Sequence, residues 1–430
     1  MLRTASTVDV VIVGAGPSGL AAARHLTAAG LSVTVLEAAS RTGGRSATDA
    51  LDGFRLDHGG RPLIATPGLL RTPGLEGLAL CRFAPWLGLH NGRRAQRVSA
   101  LRSTRGALAA ARALSRADRH LDRSPDRRTD RHGDRTAPDR PVADALASRP
   151  VFPPRAHDAF LRPLLGALLG DPRLSDSSRG ALPALRAFAE GRLCLPAGGA
   201  GALPDALAAG LPPGTVRTSV RVTSVSTTAV TTAEHGPVPC RAVLVATGAR
   251  EAAGLLPGLR VPPFHPAAVL HHTAPAGLGP RPAAPRETPL ILTTEGPVAW
   301  SYAAGAVDPS RAPAGRTLVT TVVLGAAAAL PASALDRAVR PQLARVHGAG
   351  TDEWQLLTAR HDPYAVPAMP APHDTERPVR VLAGLYVCGD HRDISTLQGA
   401  LHSGRRAARA LLQDFDLPAL AEPATLRTAA

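Results

Sequence analysis

A chain of 430 residues exceeds what one small core can organise, and two domains are expected. Apolar residues make up 44% of it, which excludes a disordered polypeptide, and no stretch approaches the ~18–20 apolar residues of a membrane-spanning helix. The 49 basic residues outnumber 34 acidic ones, for a formal charge of +15; all 49 are arginine, and lysine is absent.

The chain opens with an apolar run, Val8–Val13, that reads as a buried strand. Gly14-Ala15-Gly16-Pro17-Ser18-Gly19 follows at once, then a helix-like stretch at 20–29 and a second apolar run at 31–36 that stops at Glu37-Ala38. Strand, G-x-G-x-x-G, helix, strand and acid in this order form the arrangement that holds an adenine dinucleotide. Gly14 permits the tight turn, Gly16 lets the backbone approach a pyrophosphate, and Gly19 lets helix and strand pack closely. The helix N-terminus presents unpaired N–H groups and a positive dipole end to the phosphates, with Pro17 and Ser18 in the turn that leads into it. Glu37 can accept hydrogen bonds from the ribose hydroxyls.

Gly43-Gly44-Arg45 comes next, then residues 51–57 as one strand and His58-Gly59-Gly60-Arg61 as the loop after it. Residues 76–194 read as mostly helical. Within them Asp-Arg recurs at 118–119, 122–123, 126–127, 130–131, 134–135 and 139–140. A four-residue period would gather like charges on one helical face, but Pro125, Gly133, Pro138 and Pro141 interrupt it. Residues 122–141 are therefore expected to form a solvated or disordered loop. From residue 195 the pattern is a loop and helix to 211, a hairpin of 216–225 with 230–233, and a buried strand at 242–246 ending in Thr247-Gly248. Residues 261–375 carry strand-like runs at 290–293, 298–302 and 317–324, and a helix at 333–346 that Pro341 should kink. Trp300 and Tyr302 alternate on one of those strands and share a face, as core residues do. A last strand at 385–388 ends in Gly389-Asp390, and a helix begins near Leu397-Gln398-Gly399-Ala400.

A dinucleotide motif joined to Gly-Gly-Arg, with a distant strand ending in Gly-Asp before a helix, resembles the FAD-dependent superfamily of amine oxidases, phytoene desaturases and protoporphyrinogen oxidases. Residues 389–401 look most like an uncharacterised desaturase-like branch of it. The resemblance implies an α/β fold in which a Rossmann-like FAD-binding domain is assembled from 1–75, 195–260 and 376–430. A discontinuous substrate domain would then take its helices from 76–194 and an antiparallel sheet with helices from 261–375. It implies non-covalent FAD, with Arg45 as a bidentate donor to the pyrophosphate and Asp390 on the ribitol or pyrophosphate. By the same resemblance the Val222 backbone contacts adenine, while Gly59, Gly60 and Thr247 line the site. Leu397, Gln398 and Ala400 begin a helix aimed at the flavin's pyrimidine end, where it stabilises negative charge. The scattered cysteines, Cys81, Cys194, Cys240 and Cys388, read as buried reduced thiols without metal spacing, and Cys388 inside its strand does not read as a covalent flavin anchor.

The implied chemistry is dehydrogenation: a substrate C–H lies against the isoalloxazine, hydride passes to flavin N5, and O₂ or another acceptor reoxidises the ring. A small, apolar substrate is expected. His58 and Arg61, placed near the flavin by the family pattern, and His391 and Asp393, between Gly-Asp and the last helix, are the candidate acid–base or orienting groups. Arg61 is also a candidate donor to a substrate carboxylate. Two other readings stay open. An amine or amino-acid oxidase would release hydrogen peroxide, but this chain lacks the lysine that many such enzymes place near N5, and 3% aromatic residues scarcely furnish an aromatic cage. A non-catalytic isoprenoid-binding module of the GDP-dissociation-inhibitor type would bind without flavin chemistry. The first strand starts by residue 8, leaving no room for a secretory signal, so a cytoplasmic location is expected. Residues 92–140 hold 14 Arg and 6 Asp; they suit loose contact with an anionic inner membrane face, whereas nucleic acid is not expected without interleaved aromatics or a known module.

Overall fold

The structure, a computed structural model, describes residues 8–116, 139–147, 157–280 and 287–418. Most of the expected loop at 122–141 lies outside the described residues. Its last residues are held in place: Asp139 accepts from Ser177 Oγ at 2.6 Å and from the His373 amide at 2.7 Å.

The short apolar runs pair in parallel because both faces of their sheet are covered. Val8–Val13 lies between Val33–Leu36 and the second half of Gly236–Val245, whose other neighbour is Leu385–Val387. The two residues Val216–Arg217 add a further parallel strand beside Val33–Leu36. The first half of Gly236–Val245 pairs antiparallel with Ala229–Thr232, which in turn pairs with Val222–Val225. The sequence reading ran 216–225 as one strand. The structure breaks it near Ser219, at φ +58, sending the two halves to opposite ends of the same sheet. Helices Pro17–Ala28, Ala202–Ala209 and Leu397–Asp414 cover one face of the parallel sheet. The first and last of these touch closely, since a Cβ on Gly404 would lie 2.2 Å from Ser18 O.

The second sheet has seven strands in the order Gln355–Pro367, Phe264–Pro275, Arg316–Leu324, Val298–Ala303, Ile291–Thr293, Trp86–His90 and Ala95–Ser99. Its two longest strands escape the sequence reading. Gln355–Pro367 is a largely solvated edge with no apolar run, and Phe264–Pro275 carries Pro266, His271 and His272 in its length. Residues 76–194, expected to be mostly helical, also contain the strands Leu80–Arg82, Trp86–His90 and Ala95–Ser99. An Asn91-Gly92 turn joins the last two, with Gly92 at φ +78, a hairpin signal of known chemistry. Likewise 51–57, expected as one strand, spans the turn of a hairpin, Thr48–Leu51 with Phe54–Asp57, which reverses at Asp52-Gly53 with both φ values positive. Helices Arg162–Leu169 and Ser178–Glu190 pack over the seven-stranded sheet and close the larger core.

A buried ionic clasp ties the end of Phe54–Asp57 and the turn at Pro196 to the segment that follows Val298–Ala303 of the seven-stranded sheet. Arg311, 1% exposed, donates from NH1 to Asp57 Oδ2 at 2.6 Å, from Nε to Asp308 Oδ2 at 3.1 Å, and from NH2 to the Pro196 carbonyl at 3.1 Å. Asp57 in turn accepts from Thr48 Oγ1 at 2.7 Å and the Ala200 amide at 2.8 Å, while Asp308 accepts from the Gly198 amide at 2.9 Å. Each carboxylate accepts at least three hydrogen bonds, one of them from the guanidinium, so the desolvated charges are compensated. Replacing Arg311 with Met leaves Asp57 and Asp308 buried without their cation. A loss of about 3–5 kcal/mol is expected, read as a lowered urea midpoint. An unchanged midpoint would show that the clasp contributes nothing.

Candidate cofactor and substrate cavity

One cavity of about 1080 Å³ runs from the glycine turn at the end of Val8–Val13 into the space above the seven-stranded sheet. Its first part is built of backbone. Gly14, at φ +106, turns the chain under the Ala246 carbonyl, where a Cβ would sit 3.0 Å away. At Gly19 a Cβ would lie 2.2 Å from Gly14 O, so this glycine serves packing and does not itself line the cavity. Gly16 is different: a Cβ there would meet nothing within 4 Å. It caps helix Pro17–Ala28 without a side-chain bond, leaving the first amides facing open space. Gly43 donates to Ala15 O at 2.9 Å and so folds the Gly-Gly-Arg turn onto the same loop.

All the other residues expected to hold the cofactor line this cavity: Gly14, Gly16, Pro17, Ser18, Glu37, Ala38, Gly43, Gly44, Arg45, Gly59, Gly60, Val222, Thr247, Gly389, Asp390, Leu397, Gln398 and Ala400. Glu37 is braced by two backbone donors, the Ala15 and Ala39 amides, each at 2.8 Å. Arg45 and Asp390, 345 positions apart, form a 2.8 Å ion pair across the cavity wall. Burial opposes ionisation of Asp390, but the adjacent Arg45 cation outweighs it and holds the carboxyl below its ordinary range. The cradle fits a dinucleotide on this geometry, with bare backbone where phosphates approach and a paired cation beside them. Cys388 is fully buried behind the cradle, accepts from Ser18 Oγ at 3.1 Å and does not line the cavity.

The second part of the cavity is apolar. Every lining residue drawn from positions 160–193 and 264–324 is apolar or aromatic, among them Leu164, Phe188, Leu292, Trp300 and Val322. Trp300 and Tyr302 are buried in the core as expected, and both also donate to Gly60 O, at 3.0 and 3.3 Å. They pin the 58–61 loop against the sheet.

The four candidate polar groups separate. His58 lines the cavity, but Nε2 is engaged 2.9 Å from Asp49 Oδ2 and 2.7 Å from Arg41 NH2. Burial, together with the Arg360 charge, lowers its pKa. His391 and Asp393 do not line the cavity, so neither reaches a substrate inside it. His391 is buried with both ring nitrogens unpartnered, and burial pushes its pKa down to about 4. Asp393 is taken by His402 at 2.8 Å and Arg406 at 3.1 Å, fixing the start of the last helix. Arg61 lines the cavity. Burial and the Arg45 charge push its pKa down to about 10, which keeps it cationic.

Sequence reasoning missed Asp57, Asp308 and Arg311, whose partners lie far apart in the chain. The only local signal is Asp308-Pro309, an N-cap with Pro at the first helical position, and Arg311 three residues on. It also missed a cluster behind the cavity wall, in which His265 stands 3.0 Å from Asp176 and 4.0 Å from Asp171.

Two expectations follow. Gly16→Ala should leave the urea midpoint unchanged but weaken FAD retention, whereas Gly19→Ala should destabilise by about 1–3 kcal/mol through overpacking. Equal effects on stability would overturn this division of roles. For His265, burial opposes protonation, but the Asp176 hydrogen bond and the charges of Asp176 and Asp171 outweigh it and raise the pKa above 6.5. Its stabilising contribution is thus complete below pH 6.5 and fades as pH rises through the raised value. Urea midpoints of the protein should fall across that window, and those of His265→Gln should not show this component.

Comparison with known proteins agrees with the geometry. A putrescine oxidase from Kocuria rosea is 57% identical over 59 residues, a segment that is 14% of this chain and 12% of that protein. A phytoene dehydrogenase from Streptomyces griseus is 48% identical over 67 residues, 15% of this chain and 13% of that protein. The chain therefore spans only a small fraction of these relatives in sequence. Solved structures match almost throughout. A putrescine oxidase double mutant superposes with a TM-score of 0.68 at 17% identity, covering 95% of this chain and 99% of that one. A protein described as a putative protoporphyrinogen oxidase from Exiguobacterium gives 0.66 at 17% identity, covering 96% and 99%. Reduced UDP-galactopyranose mutase gives 0.67 at 15% identity, covering 95% and 96%. These show the fold. The profile of the family described as flavin containing amine oxidoreductase matches residues 17–412, and the chain belongs to that family of FAD-dependent oxidoreductases.

Proposed function

We propose that this enzyme dehydrogenates a carbon centre of a small, apolar substrate, with FAD bound non-covalently. The observation that carries this reading is the apolar and aromatic lining that positions 160–193 and 264–324 give the cavity, continuous with the glycine cradle. Bound FAD supplies a two-electron acceptor, which dioxygen or another oxidant then regenerates. The protein's own part is to bind and orient. Leu164, Phe188 and Leu292 desolvate an apolar substrate, and Trp300 with Tyr302 fixes the 58–61 loop beside it. The N-terminus of Leu397–Asp414 opens on the cavity at Leu397 and Gln398, and Gln398 Nε2 donates to Ile64 O at 3.1 Å. That helix end favours negative charge developing nearby.

Amine oxidation is the second reading, supported by the resemblance to putrescine oxidase. A protonated amine calls for acceptors or aromatic faces, and the stretch of wall just named offers no carboxylate. Among the described residues, no helix is long and apolar enough to cross a membrane. The purified protein should carry a flavin spectrum that bleaches with dithionite under anaerobic conditions and releases FAD on acid precipitation. Apolar polyenes should reduce it faster than simple amines. A colourless protein that takes up no added FAD would overturn the reading. Rapid reduction by a diamine with peroxide release would replace it with amine oxidation.

A further inference from the structure

Arg61 is a cation at the boundary between the cofactor cradle and the apolar part of the cavity. Its guanidinium donates no hydrogen bond and forms no ion pair among the described residues, although it lines the cavity and is half-buried. Room for it is built in: Gly170, at φ +72, ends helix Arg162–Leu169, and a Cβ on it would stand 2.6 Å from Arg61 NH2. The carbonyl end of that helix is a favourable place for a positive charge.

The carboxylates of this region are held by other donors, apart from Asp176 Oδ2, which is buried and makes no hydrogen bond with Arg61 or any other described residue. Asp390 is held by Arg45 at 2.8 Å. Asp176 accepts from His265 at 3.0 Å and from the Met369 amide at 2.8 Å. Asp171 accepts from the amides of Arg173 and Asp176 and from Ser175 Oγ, each at 2.9 Å. His265 and Arg45, the other cations facing this region, act against Arg61 rather than for it. A half-buried charge without a counterion is costly unless something arriving from solvent completes it.

We propose that Arg61 is the anchor for an anionic head group, a carboxylate, on a substrate whose remainder is apolar and fills the chamber. The planar fork of arginine matches a carboxylate in bidentate fashion, and the surrounding low dielectric strengthens the contact. The same charge repels a protonated amine. This inference rests on the reading of the cavity as a substrate chamber, and it selects among substrates of that chamber. A cofactor phosphate is the other anion to consider, but the bare helix end at Gly16 and the Arg45 guanidinium already provide for it.

The test is isothermal titration of octanoate, octanol and octylamine into the FAD-loaded full chain, with FAD content measured separately. Octanoate should bind at least about tenfold more tightly than the other two, as one charge-assisted contact implies. Arg61→Gln should abolish that preference while retaining FAD, and Arg61→Lys should restore part of it. Octylamine binding as tightly as octanoate would overturn the proposal. So would an Arg61→Gln protein that loses FAD yet keeps the octanoate preference, since the guanidinium would then serve the cofactor. A protein that holds FAD but binds the three ligands equally would overturn this proposal and leave the FAD reading intact; a protein that takes up no FAD would count against the FAD reading, and the same titration of that protein still reads the preference.

Discussion

The Arg311 clasp is the constraint on which the rest depends. Its three acceptors come from the end of the Phe54–Asp57 strand, the Pro196 turn and the segment after Val298–Ala303. These are separate segments, and one guanidinium, with the Gly198 and Ala200 amides that also donate to its two carboxylates, fixes their relative positions at that point. Asp57 immediately precedes the loop that lines the cavity, and its carbonyl also accepts from the buried His271 at 3.0 Å. The 58–61 loop therefore leaves a fully satisfied buried anchor, meets Trp300 and Tyr302 at Gly60, and delivers Arg61 to the chamber. A buried ion pair of this kind adds little to stability relative to a well-packed apolar core. What it supplies is placement.

The cavity divides its labour by chemistry. Toward the parallel sheet it is glycine and backbone amides, which accept phosphate without desolvating any side-chain charge. Toward the seven-stranded sheet it is leucine, alanine and aromatic surface, which gives affinity without direction. Direction must come from the few polar groups at the boundary. His58 is engaged by Asp49 and Arg41, and Gln398 is turned to the Ile64 carbonyl. Arg61 alone among the candidates stands both in the wall and without a partner among the described residues.

The cofactor half of this arrangement was legible in the sequence because it is made of local motifs. A turn needing φ > 0, a helix start and a buried strand each leave a signature within a few residues, as Gly14, Gly16 and Val8–Val13 show. The substrate half was not, because its order is tertiary. The edge strand Gln355–Pro367 is polar and gains its conformation from pairing with Phe264–Pro275, while the strands Trp86–His90 and Ala95–Ser99 complete a sheet whose centre lies about 200 residues on. His391 and Asp393 looked functional from their place beside Gly389-Asp390. Burial and pairing with His402 and Arg406 turn them into parts of the scaffold.

The central claim is that both ends of the chain build one site for one FAD. Hydrogen–deuterium exchange of the full chain, with and without bound FAD, tests it most directly. The account predicts that FAD slows exchange together at 14–19, 43–45, 58–61 and 389–400. Protection confined to 14–19, with 389–400 unchanged, would contradict it.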